Sequence, residues 1–302
     1  MKLSPVQSNY DSKSNFSSMR ALLLAASCAT FLLLGLTSPV FAAHHFEKQF
    51  TVQSHPLITL HNPSGKVIIS SWDKPTVMVV SDHDSPKIEV DAEQVDNRVD
   101  VVTHLLADNV SPNDLRVNYV ITVPEDAELQ VHSDSGTVSI SNILGDMSVE
   151  SVAAGIDAEN IGGYLVVQTV GGAFQCMRCT GRIEVHSISG DIRLVDDHSS
   201  SIFAQTSTGS ILLDSDFLAN GVYRLKNYSG PINVNFSPTD SFDVDAASLY
   251  GKVDNQAKLV PHSHFDQRLP RFARGLFGSF NQGRAKLELS SFNGIITIHK
   301  RD

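Results

Sequence analysis

The sequence predicts an all-β chain: a β-solenoid, β-helix-like, built from nine-residue half-coil repeats with capping segments at both ends. Three observations carry this prediction. A small residue recurs every nine positions, from Gly136 through Gly145, Ala154, Gly163, Gly172, Gly181 and Gly190 to Ser199. Apolar residues follow two and four positions later, as Val138 and Ile140, Met147 and Val149, Ile156 and Ala158, Leu165 and Val167, Phe174 and Cys176, Ile183 and Val185, and Ile192 and Leu194. A further apolar residue stands seven after the small one: Ile143, Val152, Ile161, Val170, Cys179 and Ile188. Self-similarity at a short fixed period marks units that bury their apolar face only against their neighbours.

Strict alternation sends Val138 and Ile140 to one face of a strand and Thr137 and Ser139 to the other. Nine residues are too few to encircle a core, so two units make one coil with two short strands and two corners. Ser133, Ser151, Thr169 and Ser187 then stack as one ladder, and Asn142 stacks on Asn160. Like residues stacked in this way can hydrogen-bond along the axis. Glycine suits corners where the backbone approaches closely. Large residues sit beside small ones, Ile156 with Ala158 and Phe174 with Cys176, as dense packing requires. The register slips by one residue near Ser199–Ser201 and resumes at Gly209, Ile211 and Leu213. It recurs at Gly230, Gly251 and Gly294, so about six coils at ~4.8 Å would give a rod on the order of 30 Å. An evenly spaced sandwich is the rival, but hairpins give no reason to keep an unbroken nine-residue count.

Four segments follow in order. Residues 1–42 read as a signal peptide: Lys2, Lys13 and Arg20 precede an apolar run from Ala21 to Leu36, then Val40-Phe41-Ala42 before Ala43. The apolar run is short of the ~20 residues a spanning helix needs. Residues 43–132 form an N-terminal β region and cap, with alternating runs such as LITL, KVIISSW and LRVNYVITV, and Asn62–Val67 fits the repeat pattern. Residues 133–256 are the regular repeats. Residues 257–302 comprise a basic and aromatic capping insert and closing strands. The insert, Ala257–Arg284, carries Lys258, Arg268, Arg271, Arg274 and Arg284 among Phe265, Phe272, Phe277 and Phe280. A short amphipathic turn over Arg271–Phe277 fits this segment, either as a plug over a sheet end or as a weak contact to a membrane surface.

The stretches SGTVSI, GDMSV, SISGDIRL and STGSILL resemble the bacterial DUF4097 family, as do the approach YVITVPEDAELQVHSDSG and the closing SSFNGIITIHK. The resemblance covers about Leu57 to Lys300. It implies an exported, adhesin-like β-repeat protein of the cell envelope and brings no catalytic residues with it.

The residues themselves point to little chemistry. Cys176-Met177-Arg178-Cys179 has redox, zinc or disulfide spacing, but both cysteines fall on inward columns and zinc would need two more ligands. They read as buried small residues, oxidised or not, with Cys176 and Cys179 as a candidate disulfide. Calcium repeats need an aspartate in nearly every turn, whereas Thr137, Asp146, Gly155, Tyr164, Ala173, Arg182 and Asp191 occupy the position here. His44-His45 and His262-Ser263-His264 read as solvated histidines, and no metal is expected. Asp196-Asp197 and Asp214-x-Asp216 read as solvated turns, with no stacked Asp–Arg cluster beside them.

The full chain has a formal charge of −10, and loss of residues 1–42 would make it more acidic, which does not suit nucleic acid, whose phosphates would repel it. The expectation is a non-enzymatic binding or scaffold module in the periplasm, at the cell surface or outside the cell, without cofactor. Its partner would be an envelope protein or a glycan surface. The alternative is a carbohydrate-active enzyme on a β-helix, marked by carboxylates and a basic residue clustered on one sheet face.

Overall fold

The alternating sequence forms strands throughout, and the described residues contain no helix. The structure is a computed structural model describing residues 44–261 and 274–301. The expected signal peptide and the middle of the insert, His262 and His264 included, lie outside them. The strands join in one 22-stranded sheet that wraps nearly closed around a single core.

Seven strands open the chain: β1 (His44–Thr51), β2 (Leu57–Trp72), β3 (Thr76–His83), β4 (Ile88–Val95), β5 (Arg98–Leu105), β6 (Asn118–Pro124) and β7 (Glu128–Ser141). β2 and β7 are long and lie parallel, Gly65 on Gly136, where positive φ values of 121° and 105° bend both strands. Each therefore serves two ladders. At the N-terminal end β1, β3 and β6 continue one ladder, and the β4–β5 hairpin continues the other.

From β8 (Met147–Ser151) and β9 (Gly155–Glu159) the pairing is parallel and shifted by about 18 residues. Leu165 pairs with Met147 and Ile183, and Phe174 pairs with Ile156 and Ile192. The first ladder runs through β10 (Tyr164–Thr169), β12 (Thr180–Ser187), β14 (His198–Thr206) and β16 (Val222–Asn227). The second runs through β11 (Phe174–Met177), β13 (Ile192–Val195), β15 (Ile211–Asp214) and β17 (Ile232–Phe236). Residues two and four after each small residue are buried along both ladders. The slip near Ser199 is a bulge: Gly181 pairs with Ser199 but Arg182 with Ser201, leaving Ser200 as the extra residue.

Three expectations change. The residues seven after the small position divide into two sets. Ile143, Ile161 and Cys179 are buried, whereas Val152, Val170 and Ile188 are 49%, 47% and 57% exposed. The cause is that the two corners of each 18-residue turn differ. One is made by left-handed residues, Asn142, Asn160, Arg178 and Asp196, with φ of 53–59°. The other is a hydroxyl turn, and it throws the apolar residue outward. The second change concerns the ladder Ser133, Ser151, Thr169, Ser187. These residues stack as expected, but from Ser151 on each hydroxyl bonds its own turn rather than its neighbour. Asn160 does donate to Asn142 Oδ1, at 2.7 Å.

The third change is the order of the last layers. After β18 (Phe242–Ser248), β19 (Lys252–Asn255) and β20 (Arg274–Phe280) come the closing strands β21 (Ala285–Ser291) and β22 (Ile295–Lys300). Stacking in chain order would put β21 and β22 outermost, beyond β18 and β19. Instead β21 lies between β16 and β18, and β22 between β17 and β19. Arg274–Phe280 is a strand, antiparallel on β18, rather than an amphipathic turn. Its Phe280 ring completes a cluster with Phe236 and Phe242, at centroid distances of 4.9 and 5.3 Å. Strand-to-strand backbone bonds and this aromatic contact hold the returning chain in place.

Candidate binding groove

The hydroxyl corner follows a local rule, Ser/Thr/Asn-x-x-Gly/Ala. Ser151 Oγ accepts from Ala154 N–H at 2.8 Å, Thr169 Oγ1 from Gly172 at 3.0 Å and Ser187 Oγ from Gly190 at 2.8 Å. Asn227 Oδ1 accepts from Gly230 at 2.9 Å and Ser291 Oγ from Gly294 at 2.8 Å. The small residue is required because the next layer is so close: a Cβ on Gly190 would lie 2.0 Å from the Gly172 carbonyl oxygen. Side chains of the two residues inside the turn must therefore point to solvent. The backbone is bonded from layer to layer around this corner, Val170 N–H to Ser151 O, Ser189 to Val170, Ser207 to Ile188, Ser229 to Ser207 and Asn293 to Tyr228.

An outward rank results: Val152, Val170, Ile188, Ser207, Tyr228 and Phe292. The Tyr228 and Phe292 rings stack at 4.6 Å and 5°, and exposed Tyr250 meets Phe292 at 70°. Beside it runs a polar rank at the ends of the first-ladder strands. His132, Glu150, Gln168, His186, Gln205, Lys226 and Ser290 follow one another in register through seven layers. Between the ranks lie two open depressions, successive along the layers, that together make a shallow groove. The part bounded by His132 and Ile188 measures about 370 Å³, and the part bounded by Gln205 and Phe292 about 570 Å³. Both parts occupy the same position of the repeat.

The polar wall is braced by the outward face of its own ladder. Glu184 accepts from Tyr164 Oη at 2.5 Å and lies 3.0 Å from His186 Nε2, and these contacts, His186 first, hold its carboxyl below the usual range. Arg182 lies over the Tyr164 ring at 4.9 Å, and Lys226 over Phe203 at 5.4 Å. His186 in turn packs against Phe203. These contacts fix rotamers on a surface that otherwise would leave long side chains free.

None of the residues that the sequence offers for chemistry lies in the groove. Cys176 and Cys179 are buried and disulfide-bonded, with Cα atoms 6.1 Å apart. His45 Nδ1 lies 2.7 Å from Asp82, and His44 stacks on His83. Asp196–Asp197 is not a solvated pair, since Asp197 is 1% exposed and occupies the inward column of Ile161 and Cys179. Burial pushes its carboxyl up to about 6, against bonds from Ser199. Asp214 and Asp216 do meet a basic residue: Arg301 bonds Asp216 and lies 3.5 Å from Asp214. With Arg301 N–H bonded to Phe236 O at 2.8 Å, this cluster pins the chain end. No group of three or more metal-ligating side chains occurs among the described residues. The sequence hides the groove because Val152, Val170 and Ile188 fit an apolar column. The available signal was Ser or Thr three residues before the small position in alternate units only.

No family model matches the chain, and no curated protein matches it. Among solved structures it is similar to a "putative adhesin" from Bacteroides fragilis, at 12% identity and a TM-score of 0.39, over 85% of this chain and 97% of that one. It is also similar to a "putative cell adhesion protein" from Clostridium sporogenes, at 12% identity and a TM-score of 0.28, over 85% of this chain and 100% of that one. Likenesses this remote carry no argument about this chain.

Proposed function

We propose that this chain is an exported β-solenoid of the bacterial cell envelope, of the DUF4097 type, acting as a non-enzymatic, adhesin-like binding module. The 18-residue parallel register of both ladders supports the solenoid reading. The observation that carries the binding role is the groove, which keeps a polar rank and an outward rank, apolar except at Ser207, at one repeat position through successive layers. Exposed apolar residues aligned at one repeat position, rather than scattered singly, are what a contact site would present. The walls are rigid because every layer is bonded to the next, so binding would need little reordering.

Co-sedimentation of the purified mature chain with an envelope fraction tests this reading. The wild type is expected to sediment with the fraction, and Val170→Asp to sediment at least about tenfold less, with an unchanged circular dichroism spectrum. Val170 is half exposed, so the added charge is tolerated by the fold. Equal sedimentation of the two proteins, or none by the wild type, would sink the proposal. Export is checked by the N-terminus of the native protein, expected at Ala43.

A further inference from the structure

Resting on the binding role just proposed, we infer that the groove takes an extended, uncharged polysaccharide whose chain runs along the stack of layers, one pyranose to a layer. The argument begins with repetition. A binding surface that presents a polar side chain at every layer, beside an outward one that is apolar except at Ser207, matches a ligand that also repeats, at a spacing of roughly one strand separation, ~4.8 Å. An extended pyranose chain advances by about that length per sugar.

The chemistry of the two walls divides as a sugar does. A pyranose has apolar C–H faces and a rim of hydroxyls. Val152, Val170, Ile188, Tyr228 and Phe292 supply apolar and aromatic surface, while Gln168 and Gln205 supply amides that both donate and accept. His132, His186 and Glu150 extend the same wall.

Charge excludes acidic polymers. The wall carries Glu150 and Lys226 with opposite signs, among amides and imidazoles, so it offers no cationic track, and the full chain has a net charge of −10. An extended peptide is a poorer fit. A peptide adds to a sheet through unpaired backbone groups at an edge, and here the corner backbone is already bonded from layer to layer.

The test is calorimetric titration of the mature chain with cello-, chito-, manno- and xylo-oligosaccharides, from disaccharide to hexasaccharide. At least one series is expected to bind, with affinity rising about tenfold or more from disaccharide to hexasaccharide as successive layers are engaged. Val170→Asp and Gln168→Ala, at one layer but on opposite walls, should each weaken the best hexasaccharide several-fold. Absence of binding by all four hexasaccharides overturns the inference, as does binding that neither variant weakens. If envelope binding then still depends on Val170 and is abolished by protease treatment of the envelope, the groove binds protein and only the polysaccharide falls. If envelope binding ignores Val170, the proposed function falls with it.

Discussion

Replacing Asp197 by Asn should remove a pH-dependent weakness from the middle of the stack. Asp197 stands on an inward column that holds Ile161 and Cys179 in the two preceding layers, and it is 1% exposed. Its Oδ1 accepts from Ser199 N–H at 2.8 Å, while its own N–H donates to Ser215 Oγ at 2.8 Å. Oδ2 has no hydrogen-bonding partner among the described residues. Desolvation therefore outweighs these bonds and raises the carboxyl from 3.8 to about 6. In the unfolded chain the group ionises near 3.8, so between that pH and about 6 the folded protein holds a proton that the unfolded chain has released. Stability from this group is thus undiminished below about pH 4, falls as pH rises through the window, and stays low above it. At about 1.4 kcal/mol per pH unit, the loss comes to roughly 3 kcal/mol. Other carboxyls, such as Asp191 and Asp100, are shifted downward and act in the opposite sense, so the quantity to follow is the difference between variant and wild type. Urea denaturation of both proteins from pH 4 to pH 8 supplies it. The Asn variant should gain about 2–3 kcal/mol on the wild type between the ends of that range. A difference that does not change with pH would refute the reasoning, because it would mean that the Asp197 carboxyl titrates alike in both states.

Two further predictions concern the core. Gly190→Ala should cost about 3 kcal/mol or more, beyond ordinary overpacking, because its Cβ would meet the backbone oxygen of Gly172 rather than a side chain able to move. Gly155→Ala, with nothing within 4 Å of the new Cβ, should change stability by no more than about 1 kcal/mol in the same denaturation assay, and equal effects would contradict the layer spacing. Phe174→Ala, in a fully buried column, should cost ~3–5 kcal/mol, against about 0.5 kcal/mol or less for outward Ser139→Ala, and similar values at the two sites would overturn the strand register.

The nine-residue period determined much by itself. Residues two and four after each small position had to alternate, so Val138, Phe174 and Ile192 share the interior with no help from distant contacts. The glycines, the serine stack and the slip at Ser200 could be read for the same reason, since each is local or a count along the chain. Turn chemistry and tertiary closure decided the rest. Val152 and Ile161 occupy the same place in the nine-residue unit and are chemically alike, yet one is exposed and the other buried. The period is shared by two half-turns, whereas the cross-section has two unlike corners, one left-handed at Asn160 and one hydroxyl-bonded at Ser151. Composition cannot separate apolar residues that continue a core from those that stand outside a corner, and the groove depends on that distinction. Nor does the repeat specify which layer follows which. Gly251 and Gly294 carry the same signature, and only the pairing of β21 on β16 and β22 on β17, with Phe280 closing over Phe242, puts the last strands of the chain inside the preceding ones. Asp197 marks the same boundary. Its sequence neighbour Asp196 makes the pair look like a solvated turn, but the corner that holds Asp196 at a φ of 53° turns Asp197 into the core.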